Sequence, residues 1–436
     1  MSNAASPLLM PRSSALPVMY ACRQHVFSDP LGDEGTIQAV REAFGTQQWA
    51  SKVGNDRTVA IACGSRGINR IDLVIRTLVA LVREAGGKPF VFPAMGTHGG
   101  ATVEGQIAVL ETLGVTEQSI GCPIVSSMET VLLAKTPCGL PVFIDKQASG
   151  ADAILVVNRI KPHTNFLGPV ESGLMKMLSI GMGKADQAPV LHSLGVAGLR
   201  DRMPVVARVV LEKAPVAGCL ALLEDGRHQL SRVAAIDPEA VEQEEVQLLA
   251  EVRAWQPEIP IDDLDLLIID EIGKEISGTG MDTKVVGRCR LLDFHAFDRP
   301  RIKVIAVLGL SEATHGNAIG IGMSDITTRR VAEAFEPIST YRNSVVSHSP
   351  TMAALPVTVE TDKELVRTAL DYLCNPKPVD QARIVRIQNT LELHNVEVSA
   401  PVADAIRDRE DIELSSKPFT MDFDADGRLL PLRVDA

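Results

Sequence analysis

A histidine and a lysine within residues 158–193 have the types and surroundings of catalytic side chains. His163 follows residues 151–158, an apolar run of strand length, and Lys176 lies further on among small and apolar residues, sixteen residues before His192. Histidine titrates near neutral pH and is therefore suited to acid–base catalysis. A lysine in apolar surroundings is either partly desolvated and ready for covalent attachment, or lays its stem along the core with its charge in solvent. The residue types leave both interpretations of the lysine open.

Other candidate side chains also follow strand-like runs. His98 and His315 lie in loops after apolar runs, and Arg66 lies in the loop after residues 58–64. Ligands of open α/β sheets bind just beyond the carboxyl ends of the strands, so residues in such loops converge on one crevice. A single loop histidine is more often structural than catalytic, but this repeated placement favours a functional role for His98 and His163. The guanidinium of Arg66 could hold a carboxylate or a phosphate in a bidentate fork, or could simply lie at the surface.

The elements that would position these side chains read as parallel α/β units. Residues 58–64, 72–85 and 88–96 read as strand, helix and strand, an order that is typical of a parallel sheet. Residues 263–271 and 302–310 are two further apolar runs that predict buried strands of a second sheet. We therefore predict an α/β fold of two α/β domains with largely parallel sheets and the active site in the cleft between them.

An acidic helix and a proline-containing segment mark the predicted domain boundary. The helix covers residues 238–255, residues 256–260 read as a linker, and the apolar side of the helix is predicted at Val241, Val246, Leu248, Leu249 and Val252. We predict an N-terminal cofactor-binding domain at residues 1–258, of which about the first 15 residues are disordered. A C-terminal domain would follow at residues 259–415, and residues 416–436 would form a tail that packs back on the N-terminal domain.

The composition argues against several classes of function. The 436 residues carry a net charge of −12 and only 4% aromatic side chains, which argues against binding to nucleic acid. The seven cysteines, at positions 22, 63, 122, 138, 219, 289 and 374, form no CxxC pair, which fits reduced thiols and gives no sign of a zinc ribbon or an iron–sulfur site. The sequence contains neither an apolar run long enough to span a membrane nor a secretion signal. We therefore expect a cytoplasmic protein that acts on a small molecule.

Five positions together resemble the motifs of the nickel-pincer lactate racemase family. They are Arg66 in CGSRGI, His98 in MGTHGGAT, His163 in KPHTNFLG, Lys176 in ESGLMK and His192 in PVLHS. The spacing from the lysine to the last histidine is that of the family, whereas the loop from the PH motif to the lysine is a few residues longer here. The resemblance covers residues 55–200, and the second domain resembles the family in architecture rather than in residues.

The resemblance implies an isomerase, a racemase or epimerase of a 2-hydroxy acid, with a nickel-pincer nucleotide as its cofactor. In that family the cofactor is a pyridinium mononucleotide that holds nickel through sulfur–carbon–sulfur ligation and is attached to a lysine as a thioamide. By the match, Lys176 would carry the attachment and His192 would be the fourth nickel ligand. The residues that would line the cofactor are Gly64, Ser65, Ser172 and Gly173.

The resemblance also implies roles for the remaining matched residues. His98 and His163 would be an acid–base pair on the two faces of the substrate. One histidine would remove the hydroxyl proton while the carbon-bound hydrogen leaves as hydride to the pyridinium ring, and the planar keto acid would take the hydride back on its other face. Arg66 would bind the substrate carboxylate or polarise the keto group. The implied partners are a small 2-hydroxy acid and cofactor-biosynthesis proteins, and a homo-oligomer is left open.

The second domain departs from the family where a lysine would contact the substrate. Lys274, Lys284 and Arg288 are the candidates to replace that lysine, and His315 lies in a polar loop, residues 311–317, that could read a larger hydroxy acid or a sugar acid. This difference predicts a substrate other than lactate.

Two other functions remain open from the sequence. One is a zinc-dependent hydrolase in which His98, His163 and His192 are the metal ligands. It predicts bound metal without a nucleotide or a lysine adduct. The other is a catalytically inactive nucleotide-binding homologue, in which His98 and His163 can be changed without consequence.

Overall fold

The structure of the protein, a computed structural model, describes residues 8–9, 15–25, 28–46, 49–65, 67–164, 166–290, 297–374 and 378–433. Arg66 lies outside the described residues, and so do most residues of the predicted disordered leader, 1–7 and 10–14. The chain divides into two units, one of residues 27–256 and the other combining residues 1–26 with residues 257–436. Both units are α/β, which confirms the predicted fold class.

Strands and helices alternate along most of the described chain. The strands are β1 (Val18–Gln24), β2 (Thr58–Cys63), β3 (Lys88–Pro93), β4 (Thr130–Lys135), β5 (Pro141–Asp145), β6 (Ala153–Arg159), β7 (Val216–Glu224), β8 (Leu230–Ile236), β9 (Asp263–Ile269), β10 (Arg301–Val307), β11 (Ile326–Thr328), β12 (Val357–Val359), β13 (Ile384–Ile387), β14 (Asn395–Ser399), β15 (Ile412–Leu414) and β16 (Phe419–Thr420). The α-helices are α1 (Gly32–Thr46), α2 (Trp49–Val53), α3 (Ile71–Glu84), α4 (Val103–Thr112), α5 (Glu117–Ile120), α6 (Lys146–Ser149), α7 (Leu174–Lys176), α8 (Lys184–His192), α9 (Gly195–Ala197), α10 (Met203–Lys213), α11 (Val241–Ala254), α12 (Arg329–Ala334), α13 (Pro337–Val346), α14 (Asp362–Thr368) and α15 (Ala400–Ile406).

The unit of residues 27–256 is built around a sheet with the order β3-β2-β6-β7-β8. The neighbouring strands are parallel from β3 to β7, and β8 is antiparallel to β7. The predicted strand–helix–strand unit is confirmed, because β2, α3 and β3 follow one another and the two strands pair in parallel. The chain adds β3 on one side of β2 and then returns to add β6 on the other side. The direction of strand addition therefore changes between β2 and β6, and this is the position at which such sheets bind ligands.

The alternation of side chains along β6 explains why helices cover both faces of this sheet. Ile154 and Val156 belong to the apolar cluster on one face, and Leu155 and Val157 belong to the cluster on the other. All four are 0–1% exposed. A strand that is apolar on both sides needs a cover on both faces, and each such buried side chain contributes roughly 1.5–3 kcal/mol to folding. The strand predicted before His163 is thereby confirmed as a buried, central strand.

Helix α11 differs from the prediction at one position of its buried face. Val246 was predicted on the apolar side, but its side chain is 39% exposed. Glu245 takes the buried position instead, together with four of the predicted apolar residues, Val241, Leu248, Leu249 and Val252. The buried positions follow the helical spacing i, i+4, i+7, i+8 and i+11, and Val246 is out of this phase.

The other unit has a mixed sheet with the order β12-β11-β10-β9-β13-β14-β1-β15, and β16 also pairs with β1. Strands β9 to β13 are parallel to one another, whereas β14, β1, β15 and β16 pair antiparallel. The structure thus differs from the predicted boundaries at both ends of the chain. Residues 18–24 belong to this sheet rather than to the domain predicted at 1–258, and Phe419–Thr420 of the predicted tail pairs with them. The register Met19↔Ser399 joins residues that are far apart in the sequence, where local patterns carry no signal.

Among the described residues, no helix has the length and the apolar character needed to cross a membrane.

Candidate active site

The ends of two strands and the segment that carries Lys176 meet beside the position where the direction of strand addition changes. Gly64 follows β2, and a Cβ at this residue would lie 3.0 Å from Cε of Met177 and 3.3 Å from Oδ1 of Asn158. The side chain of Asn158, near the end of β6, donates a hydrogen bond of 2.8 Å to the carbonyl of Gly173. The ends of β2 and β6 are therefore packed against the segment that carries Lys176.

His98 lies in the loop after β3 and contacts the loop after β2. Its ring Nδ1 is hydrogen-bonded to the hydroxyl of Ser65. A hydroxyl can donate or accept, so Ser65 can partner this nitrogen in either tautomer of the imidazole. Gly99 comes next with a φ of 65°, and a Cβ there would overlap the backbone of Gly105 in α4. Glycine at 99 therefore allows the turn that follows His98 to pack directly on α4.

A buried polar network lies behind the His98 loop. Gln106 of α4 is buried and donates from Nε2 to the carbonyls of Gly96, at 3.0 Å, and His98, at 3.4 Å. The fully buried ammonium of Lys184 donates to Oε1 of Gln106 at 3.4 Å and forms an ion pair of 2.9 Å with Asp145. Asp145 pairs with Lys184, Lys184 donates to Gln106, and Gln106 donates to the His98 loop. This chain of contacts fixes the backbone of that loop.

His163 lies in a loop that is closed at its base. Lys161 and Ser172 exchange backbone hydrogen bonds of 2.9 and 3.1 Å. Within the loop, the N–H of His163 donates to Oε2 of the buried Glu171 at 2.5 Å. The imidazole of His163 packs against the ring of Phe166, with the ring centres 4.5 Å apart. The loop therefore holds His163 by its backbone and by one face of its ring.

Lys176 is half-buried at the end of a helical turn. Its ammonium donates a hydrogen bond of 3.3 Å to the hydroxyl of Ser172. The next residues, Met177–Gly181, form a π-helical turn before α8 begins. Short π-helical segments are frequent at functional sites. Met175 and Met177, the neighbours of Lys176 in the chain, are buried, so the backbone on both sides of Lys176 is anchored in the core.

His192 ends α8 and lies within electrostatic range of Lys176. Burial among protein atoms lowers the pKa of His192, and the positive charge of Lys176 lowers this pKa further. The side chain is nevertheless accessible to solvent. A histidine with a lowered pKa is neutral at pH 7 and keeps a nitrogen lone pair for a metal or a proton.

The second-domain candidates lie at opposite ends of the strands of their sheet. Lys274 follows β9 and donates to Asn343 at 2.9 Å, and the exposed His315 lies in the loop after β10. Arg288 instead pairs with Asp325 at 2.7 Å and donates to the carbonyl of Ile302, near the start of β10.

The half-buried Lys284 lies between Lys274 and Arg288 in the chain. It is part of a turn in which its N–H donates to Asp282 at 2.8 Å. Arg288 is therefore separated from the carboxyl-end loops that carry Lys274 and His315.

Sequence reasoning missed the buried polar residues that support the site. These are Glu171, Glu245, Lys184, Gln106 and Asp145. For Glu245 a signal was available, because a glutamate occupies the i+4 position of the apolar stripe of α11. Polar residues at core positions are rare unless they are hydrogen-bonded.

The described residues contain no group of three or more His, Cys, Asp or Glu side chains arranged to hold a metal ion. His98, His163 and His192 all lie in the described part of the chain. The three-histidine zinc site of the alternative hydrolase is therefore not formed in this structure.

Comparison with known proteins gives a similarity of fold. No protein-family model matches the chain, and no curated protein sequence matches it. Among solved structures, the lactate racemase apoprotein from Thermoanaerobacterium thermosaccharolyticum is similar, with a TM-score of 0.51 and 12% sequence identity. The similarity covers 82% of this chain and 92% of that one. The chain therefore has a lactate racemase-like fold.

Proposed function

We propose that the protein is a racemase or epimerase of a 2-hydroxy acid that uses a nickel-pincer nucleotide attached to Lys176. The observation that carries the proposal is the grouping of candidate residues at one end of one sheet. His98 is hydrogen-bonded to Ser65, which follows β2, and His163 follows β6, the neighbour of β2 in the sheet. The charge of Lys176 acts on His192. The lactate racemase-like fold supports the same conclusion.

The side chains around Lys176 fit a group of this kind. Metal binding requires a deprotonated imidazole, and the lowered pKa of His192 provides one. Lys176 is half-buried between the buried residues Met175 and Met177, so its amine can still be reached for covalent attachment. Lys176 would carry the attachment, His192 would bind the nickel, and Gly64, Ser65, Ser172 and Gly173 would line the group. When bound, the group supplies a pyridinium ring that accepts a hydride.

The residues of this chain would hold the substrate and move its hydroxyl proton. Two enantiomers present their hydroxyl groups to opposite sides, so inversion needs a base on each side. His98 and His163 would be these bases: the histidine on one side would accept the hydroxyl proton of one enantiomer, and the histidine on the opposite side would give a proton to the hydroxyl group of the other. Ser65 would orient the ring of His98, and Arg66 would bind the substrate carboxylate. The partners of the protein would be a small 2-hydroxy acid and the proteins that make the cofactor.

Chiral chromatography of single enantiomers tests the proposal. The protein is co-expressed with the cofactor-biosynthesis proteins and incubated with a panel of 2-hydroxy acids in D₂O. We expect inversion of at least one acid without deuterium at carbon 2, because hydride return does not exchange with solvent. His98→Ala and His163→Ala should each lose at least about 100-fold in kcat.

His228→Asn is the matched control, because His228 belongs to the same unit and lies in a turn after β7 with a φ of 57°, which asparagine tolerates. Inversion that persists in both histidine variants would contradict the assigned acid–base pair. Incorporation of deuterium at carbon 2 would contradict hydride transfer.

A further inference from the structure

Helix α11 contacts both segments that carry the candidate catalytic residues. Glu245 in its first half and Arg253 near its end are about two turns apart. Glu245 reaches the segment that leads into Lys176, and Arg253 reaches the loop that contains His163. All of these residues belong to the unit of residues 27–256.

Glu245 binds the backbone directly before Lys176. Its Oε2 accepts a hydrogen bond of 2.8 Å from the N–H of Met175. The first N–H groups of a helix have no acceptor within the helix, and a carboxyl group from another helix supplies one here. Gly173 leaves room for this contact, because a Cβ at that position would overlap the Glu245 carboxyl group. A carboxyl group offers an acceptor oxygen in either protonation state, so the contact does not depend on ionisation.

Arg253 acts on the His163 loop through Glu171. Its guanidinium donates to Oε1 of Glu171 at 2.6 Å and to the carbonyl of Gly168 at 3.4 Å. Glu171 is fully buried and accepts hydrogen bonds from the N–H groups of His163, at 2.5 Å, and Gly168, at 3.0 Å. A buried carboxylate needs a partner for its charge, and Arg253 provides it. The position of His163 therefore depends on a side chain of α11.

We infer that α11 sets the relative positions of His163 and Lys176 through two separate contacts, Glu245 to the Lys176 segment and Arg253–Glu171 to the His163 loop. Glu171, Glu245 and Arg253 are positioning residues, because they act on the two segments through backbone hydrogen bonds and the Arg253–Glu171 ion pair. The catalytic meaning of the inference rests on the proposed function, whereas the positioning itself does not. Each contact holds its own segment, so the two should be separable by mutation.

Hydrogen exchange measured by mass spectrometry on the full-length protein tests the positioning without an activity assay. In Glu245→Met, we expect exchange at residues 173–176 to accelerate about tenfold, while residues 163–168 stay close to wild type. In Arg253→Met the expected pattern is the reverse. Glu251→Gln is the matched control, because Glu251 lies on the same helix and pairs with Arg232 near the surface. This control should change neither segment.

Conservative variants separate positioning from a general loss of packing. Glu245→Gln keeps an acceptor oxygen and should restore slow exchange at residues 173–176, and it remains usable if Glu245→Met does not fold. Arg253→Lys keeps the charge beside Glu171 and should restore residues 163–168 in part. Unchanged exchange at both segments, or uniform acceleration over the whole unit, would overturn the inference.

Kinetics of the cofactor-loaded protein test the catalytic consequence. We expect Glu245→Met and Arg253→Met to lower kcat by about tenfold to 100-fold, with KM within about twofold of wild type, and Glu245→Gln to recover kcat. Equal losses in the Glu251→Gln control would overturn this part of the inference. If loaded wild-type protein inverts no hydroxy acid, the proposed function fails, while the exchange pattern still decides the role of α11.

Discussion

At the scale of single residues, the account depends on the chemical states of His192 and Lys176. Burial and the charge of Lys176 lower the pKa of His192, so this imidazole is neutral at pH 7. The same neutral state is needed for a metal ligand. The two residues thus act as a pair, and each should respond when the other is changed.

Lys176→Met should raise the pKa of His192, because it removes the positive charge that disfavours the imidazolium. The pKa is measured by NMR titration of histidine-labelled protein without cofactor. Lys146→Met is the control, since Lys146 forms an exposed pair with Glu129 and is not among the groups that shift His192. An identical pKa of His192 in wild type and Lys176→Met would contradict the pairing.

Ser65→Ala should lower kcat about tenfold with little change in KM, because the ring of His98 loses the hydroxyl that orients its Nδ1 nitrogen. Steady-state kinetics of the loaded protein measure the effect. Ser65→Thr keeps the hydroxyl and should recover most of kcat. Equal kcat values in Ser65→Ala and wild type would show that this hydrogen bond does not serve catalysis.

At the scale of elements, local patterns predicted the scaffold better than its buried polar supports. The strand–helix–strand order at residues 58–96 is carried by apolar spacing and glycine turns, which are local features. The acceptor of the His163 N–H, Glu171, depends on how a loop folds and on Arg253, which lies 82 residues further along the chain. Spacing alone cannot show such a contact. Glu245 was detectable only as a break in an apolar stripe.

Glu245 should make the stability of its unit depend on pH. Burial raises the pKa of this carboxyl group from 4.5 to about 7. The folded state therefore holds the proton more tightly than the unfolded state, and the contribution is complete below pH 4.5 and is lost as the pH rises to about 7. The loss is on the order of 3 kcal/mol.

Urea unfolding of wild type and Glu245→Gln checks this expectation. The pH is varied from about 4 to about 8, so that it passes both the ordinary pKa of 4.5 and the raised pKa of about 7. The difference in unfolding free energy between the two proteins should change over that interval in favour of the variant as the pH rises. Glu251→Gln, with its accessible pair to Arg232, serves as the reference. A difference that is independent of pH would contradict a buried, proton-binding Glu245.

Lys184→Met should destabilise the unit of residues 27–256 by about 3–5 kcal/mol, because it leaves the buried Asp145 carboxylate without its partner. Thermal or urea unfolding measures this change. Lys146→Met removes a lysine from an exposed pair directly after β5, and should change the stability much less. Similar losses in the two variants would argue against a structural role for the buried pair.

At the scale of the whole molecule, the order of the strands in the two large sheets could be predicted only in part. Strands β2, β3, β6, β9 and β10 follow from apolar runs of strand length. The insertion of β1 between β14 and β15 could not be predicted, because it joins residues near the two ends of the chain. Its sequence is compatible with a strand, but nothing local selects its partners.

Met19→Ala should destabilise the unit that contains residues 257–436 by about 2–5 kcal/mol, because Met19 is fully buried in the cluster formed by β9, β10 and α14. Val18→Ala, one residue earlier in β1, is the control, since this side chain is 44% exposed. Urea unfolding followed by residue-resolved or peptide-level hydrogen exchange assigns the loss to the correct unit. Equal stability of the two variants would contradict the placement of β1.

The measurement that tests the central proposal most directly is intact mass and peptide mapping, together with metal analysis, on protein co-expressed with the cofactor-biosynthesis proteins. We predict nickel and a nucleotide-sized adduct on Lys176, with the adduct lost in Lys176→Ala and the nickel weakened in His192→Ala. An unmodified Lys176 under these conditions, or zinc in place of nickel, would contradict the tethered-cofactor mechanism.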